Sequence, residues 1–151
     1  MRAPIVLVGL LVLGCSGGGY LDDLQHASAE KRLAAASFLG AQRDPQAVPG
    51  LIGLLEDPDA RVRAKGAWAL GMIRARSGVI PLLARVGDPD RTVKQAAIGA
   101  LMNIEEPAAL PGLKKALATE TDAWVVGDLE KAITYLTQFE GESDIGESTF
   151  R

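Results

Sequence analysis

Two pairs of carboxylates, Asp57 with Asp59 and Asp88 with Asp90, are the residues whose spacing first suggests chemistry. Such a pair can share a proton in acid–base work or hold a hard cation such as calcium. Each pair, however, opens the same written pattern, Asp57-Pro58-Asp59-Ala60-Arg61-Val62 and Asp88-Pro89-Asp90-Arg91-Thr92-Val93, and residue 88 follows residue 57 by 31. A pattern repeated at a fixed period belongs to a scaffold. Asp57 and Asp88 are expected to start helices, accepting from unpaired backbone N–H groups, with the proline after each in a first turn that has no donor to lose. His26 is the sole histidine and Cys15 the sole cysteine, too few for a zinc cage. No Gly-x-Ser-x-Gly elbow is present, and Gly17-Gly18-Gly19 follows an apolar run rather than a strand. The sequence therefore leads us to expect no catalytic residue, no metal, no cofactor and no enzyme activity.

The elements that hold these residues are legible from periodicity. Val62, Gly66, Ala69, Leu70 and Ile73 fall on one side of a helix, and Val93, Ala97, Ala100, Leu101 and Ile104 repeat the arrangement. Gly78 and Pro107 interrupt the chain, and shorter apolar helices follow at Val79-Ile80-Pro81-Leu82-Leu83 and Leu110-Pro111-Gly112-Leu113. The unit reads as long helix, turn, short helix. A degenerate copy begins at Tyr20, with Arg32 at the position of Arg63, and Glu120-Thr121-Asp122-Ala123-Trp124-Val125 opens a last unit with no second helix. About three and a half repeats result, above the usual minimum of three.

The first residues are of another kind. Arg2, the apolar run Ile5 to Leu13, and Val12-Leu13-Gly14-Cys15 have the order of a charged start, a hydrophobic stretch too short to span a bilayer and a cleavage site. This resembles a bacterial lipoprotein signal peptide, with Leu13 where Ala, Ser or Thr is commoner. The resemblance implies lipidation at Cys15, and Ser16 after it implies the outer membrane. The expected division is a signal peptide over 1–14, a lipidated Cys15 with a flexible glycine tether over 15–19, repeats over 20–140 and a disordered acidic tail over 141–151.

The repeat itself resembles the short HEAT-like repeats named after phycobilisome lyases, on Asp-Pro-Asp-x-x-Val, then Arg63 or Lys94, a small-residue helix ending in Leu70 or Leu101, and Ile80-Pro81 or Leu110-Pro111. The resemblance implies an all-α, right-handed α-solenoid whose second helices line the concave face. It also implies a stacking ladder joining Arg63 and Lys94 to acids of adjoining units, with Asp57 and Asp88 among them. Arg85 and Lys115 each lie four residues after a proline, with Lys114 alongside, and are expected to align in that groove. Trp68, four residues from Met72, either fills a gap between units or marks a contact patch.

Charge is unevenly spread. Residues 15–60 hold three basic and seven acidic residues, residues 61–94 eight and two, and residues 95–151 four and ten. The middle unit should present a basic band. The resulting expectation is a lipid-anchored scaffold on the periplasmic face of the outer membrane, binding a protein or peptide partner and no nucleic acid. Two other readings stay open: a chromophore lyase or its accessory, and a binder of anionic envelope lipid or glycan through the basic band.

Overall fold

The computed structural model describes residues 18–140, in which eight α-helices alternate short and long. The long ones are α2 (Ala29–Gln42), α4 (Ala60–Ile73), α6 (Arg91–Ile104) and α8 (Ala123–Thr137). Their first residues, 29, 60 and 91, keep the 31-residue step of the sequence, and the step to 123 is 32. The short ones are α1 (Gly18–Asp23), α3 (Val48–Leu54), α5 (Val79–Arg85) and α7 (Leu110–Leu117). At 8 residues α7 is one longer than α3 and α5, which accounts for the longer last step. Among the described residues there is no strand. The signal peptide, Cys15 and the acidic tail lie outside the described residues, while Gly18 and Gly19 of the expected tether already belong to α1.

The helix starts correct the sequence reading by two residues. Asp59, Asp90 and Asp122 are the capping residues, their carboxylates accepting from Arg61 N–H at 2.8 Å, Thr92 N–H at 2.8 Å and Trp124 N–H at 2.9 Å. Asp57 and Asp88 stand outside the helices, buried, and each accepts from the N–H two residues on at 2.9 Å. That local bond turns the chain before the helix begins, so the proline between the two acids belongs to the turn. Three of the four long helices, α2, α4 and α6, end alike: Arg43, Arg74 and Glu105 have φ of 54°, 59° and 56°, the left-handed conformation that closes a helix.

Packing shows which helices form a hairpin. α3 lies on α4, α5 on α6, α7 on α8 and α1 on α2, so the packed pair is closed by the Asp-Pro-Asp turn, or by Glu120-Thr121-Asp122 and His26-Ala27-Ser28 at the equivalent places, and the short helix comes first. The expected pairing of α4 with α5 is not the packed one. Counted from the long helix there are three and a half units; counted from the short helix there are four whole ones. Fully buried Leu51, Leu82 and Leu113, 31 apart, mark the equivalent position of successive short helices.

The long helices also pack directly on one another, α2 on α4, α4 on α6 and α6 on α8, and at the first two of these contacts glycine sets how near they come. A Cβ at Gly40 would stand 2.9 Å from Ala69 Cα, and one at Gly71 only 2.7 Å from Ala100 Cα. Short helices make no comparable contact with one another. A stack that is tight on one side and open on the other curves toward the tight side. The long helices, the second of each pair, therefore form the concave layer of this α-solenoid. The HEAT resemblance holds in that form, but the helices assigned to the groove were the wrong ones.

Candidate binding surface

A ladder of largely covered ion pairs ties each unit to the next. Arg32 Nε lies 2.6 Å from Asp57, Arg63 Nη2 2.9 Å from Asp88, and Lys94 Nζ 2.6 Å from Glu120. Both arginines grip the carboxylate with two nitrogens, and Arg63 Nη1 also donates to the Asp57 carbonyl at 2.9 Å. A bidentate grip with further bonds at both ends is the arrangement in which a buried pair holds its geometry. The third acid is Glu120, which the Asp-Pro-Asp pattern does not flag. His26 stands 31 residues before Asp57 and accepts from Ser28 N–H through Nδ1 at 3.0 Å, taking over the turn-closing bond at the first unit.

The ladder carries a pH dependence. The backbone N–H of Asp122, the Lys94 ammonium and the Thr121 N–H hold the Glu120 carboxyl down at about 2 against an ordinary 4.5. Burial alone would push Asp88 up, yet the bonds from Arg63 and Asp90 N–H, and the charges of Arg63 and Arg85, bring it below its usual 3.8. Both are depressed in the folded state, so their contribution is complete above about pH 5 and is lost as pH falls, for Glu120 only as pH nears about 2. The thermal midpoint should fall over that interval, and less steeply in Glu120→Gln. A midpoint flat down to pH 3 would contradict the assignment.

The same pairing dissolves the expected basic band. Arg61 meets Glu30 and Asp59, Arg74 meets Glu105, Arg76 meets Glu106, Arg85 meets Glu56, and Arg91 meets Asp122. With Arg63 and Lys94 in the ladder, seven of the eight central cations are paired with an acid, mostly from a neighbouring unit. The acidic flanks of the sequence supply most of these partners, and Asp88, the partner of Arg63, lies in the middle itself. Of the eight, only Lys65 has no acidic partner among the described residues, and its ammonium stands 4.7 Å from the centre of the Trp68 ring.

Nor do Arg85 and Lys115 share a groove. Arg85 is largely covered, bonded to the Leu55 carbonyl at 3.3 Å and to Glu56 at 3.2 Å. The buried leucines put Arg85 in register with Ala116 and Lys115 with Ala84; Pro81 and Pro111 are offset by one position, which made the two cations look equivalent. Lys114 and Lys115 are exposed, and all three stand on short helices, on the outer side of the curve.

Trp68 is on the concave layer. Half-buried across the seam of α2 and α4, it borders a shallow apolar depression of about 430 Å³ lined by Leu33, Arg61, Ala64, Lys65, Trp68 and Thr92. At the positions equivalent to Lys65 and Trp68, 31 residues away, α2 carries Ala34 and Ser37 and α6 carries Ala96 and Gly99, all small. Trp124, 71% exposed with the Arg91 guanidinium 5.7 Å from its ring, lies where α8 begins. The sequence marks that residue only as part of the segment opening the last unit.

A family model for HEAT repeats matches residues 20–86 and 67–134. This chain belongs to the HEAT-repeat family. Among curated proteins none matches the sequence. Among solved structures, the HEAT-repeat chain is similar to the complex of CpcE and CpcF of phycocyanin lyase from Nostoc sp. PCC7120, with 24% identity and a TM-score of 0.68 over 87% of this chain and 58% of that one. It is also similar to a designed armadillo repeat protein, with 23% identity and a TM-score of 0.58 over 78% of this chain and 63% of that one. The chain spans less than two thirds of the length of either, and at these identities the likeness is one of fold.

Proposed function

We propose that this HEAT-repeat chain is a non-catalytic scaffold that holds a protein or peptide partner on its concave face, and that lipid on Cys15 fixes it to the periplasmic face of a bacterial outer membrane. The observation that carries the first half is the Trp68 depression. Its lining is mostly apolar in surface, Lys65 stands over the Trp68 ring, and an aromatic anchor in a shallow apolar seat is the kind of feature that dominates binding energy. That CpcE forms a complex with CpcF supports a protein partner for a scaffold of this fold. The second half rests on the sequence from Arg2 to Ser16.

Two variants test the halves separately. Trp68→Ser should lower affinity for a cross-linked envelope partner by tenfold or more, about 1.4 kcal/mol or above, with helicity unchanged; undiminished capture would move the binding surface elsewhere. Cys15→Ala should release the protein from the membrane fraction and leave the precursor unprocessed. Normal processing with continued attachment would sink the anchor. The likeness to a lyase subunit keeps a second reading, an accessory to chromophore attachment, and a pigment retained by the purified chain would favour it.

A further inference from the structure

The stack has two unlike ends. At interior units, the positions facing the preceding long helix are filled by Val62 and Ala69 on α4 and by Val93 and Ala100 on α6, all buried. The equivalent positions on α2, 31 residues earlier, are Lys31 and Phe38, and no long helix precedes α2 among the described residues. Phe38 is 38% exposed and stacks on Tyr20 with ring centroids 4.2 Å apart and planes at 17°. Aromatic surface thus replaces alanine where a neighbouring unit would otherwise sit. At the other end, α8 turns Glu130, Lys131, Thr134 and Gln138 outward, the polar face expected of a terminal repeat.

The length of chain before α1 decides what covers the aromatic end. Helix α1 begins at Gly18, so only Ser16 and Gly17 separate it from Cys15. Three Cα–Cα steps of 3.8 Å give a span of at most about 11 Å. Because Tyr20 stacks on Phe38, near the C-terminal end of α2, the leash leaves the fold beside the aromatic pair. An acylated Cys15 therefore brings the pair to the headgroup layer, where aromatic rings are favoured. A second copy docked head to tail would instead press Phe38 against the polar face of α8. Asp22 and Asp23 stand at the far end of α1.

Resting on the lipid anchor proposed above, we propose that the Tyr20–Phe38–Lys31 end face of the solenoid docks on the bilayer surface, so that the stack stands end-on and the concave face opens sideways. The lipid and the apolar face then act as the two signals that stable membrane attachment requires.

The test uses the mature, acylated full chain in vesicles of phosphatidylethanolamine and phosphatidylglycerol. With Cys15 blocked by its lipid, a nitroxide is placed at Gln42→Cys, one turn beyond Phe38, or at Thr134→Cys on the opposite end. Collisions with oxygen, which partitions into lipid, are compared with collisions with a nickel chelate, which stays in water. The expected result is a several-fold higher oxygen-to-nickel ratio at position 42 than at 134, and loss of that excess when Phe38→Ser is added, with helicity unchanged. Equal, water-like ratios at both positions on vesicle-bound protein would overturn end-on docking and leave the anchor standing. Protein that is acylated yet fails to bind vesicles, or that is not acylated at all, would overturn both.

Discussion

Gly71→Leu is expected to lower stability by about 3 kcal/mol, the upper part of the range for overpacking a close contact, and the thermal midpoint by about 10 °C. Even a bare Cβ at this position would meet Ala100 Cα at 2.7 Å, and a backbone atom cannot swing aside as a side-chain tip can. The helices would have to part, along the largest helix–helix contact in the fold. Gly99 provides the control, since a Cβ there meets nothing within 4 Å. Gly99→Ala should gain up to about 1 kcal/mol of helix propensity, so two glycines on neighbouring long helices should respond in opposite directions. Thermal unfolding followed by circular dichroism reads both. Equal responses would mean that the long-helix layer is not close-packed and that the concave face lies elsewhere.

Asp88→Ala should cost a similar amount, about 3 kcal/mol, because it leaves the Arg63 guanidinium in a largely covered site without its carboxylate. The side chains of the pair are 13% and 1% exposed. The substitution also removes the acceptor for Asp90 N–H and a charge 3.7 Å from Arg85. The informative companion is Arg63→Met with Asp88→Leu. If the single loss comes from a stranded charge, the double variant recovers much of it, and a double-mutant cycle in urea shows strong coupling. Additive losses with no recovery would show that the rung contributes only as two separate residues.

The period of 31 was legible because it is written in residue types, and it placed the long helices well. Its phase was not. A periodic pattern can be cut at any point, and nothing in Asp57 to Ile104 says whether the acidic turn or the break at Gly78 closes the packed hairpin. That ambiguity assigned the concave face to the short helices and carried Arg85, Lys114 and Lys115 with it. Proline misled in a second way: Pro81 and Pro111 look like register marks, but burial of Leu82 and Leu113 sets the register. Arg63 with Asp88 could be inferred from matched positions, whereas Glu120 hid behind a different acid and a step of 32. The basic middle was counted correctly and interpreted alone; its counter-charges lie in adjoining units. Exposure at Phe38 follows from the lack of a preceding long helix among the described residues, which residue types do not record.

The last joint of the solenoid is made differently from the others. Where α2 and α4 present Gly40 and Gly71 to the following helix, α6 presents Met102, and the rung there is Lys94 with Glu120 instead of an arginine fork. A thioether fills space adaptably but keeps two backbones apart, and an ammonium grips a carboxylate at one point rather than two. Unzipping should therefore be directional, starting at α7 and α8 and travelling toward α1, with backbone amides in the final hairpin exchanging their hydrogens soonest.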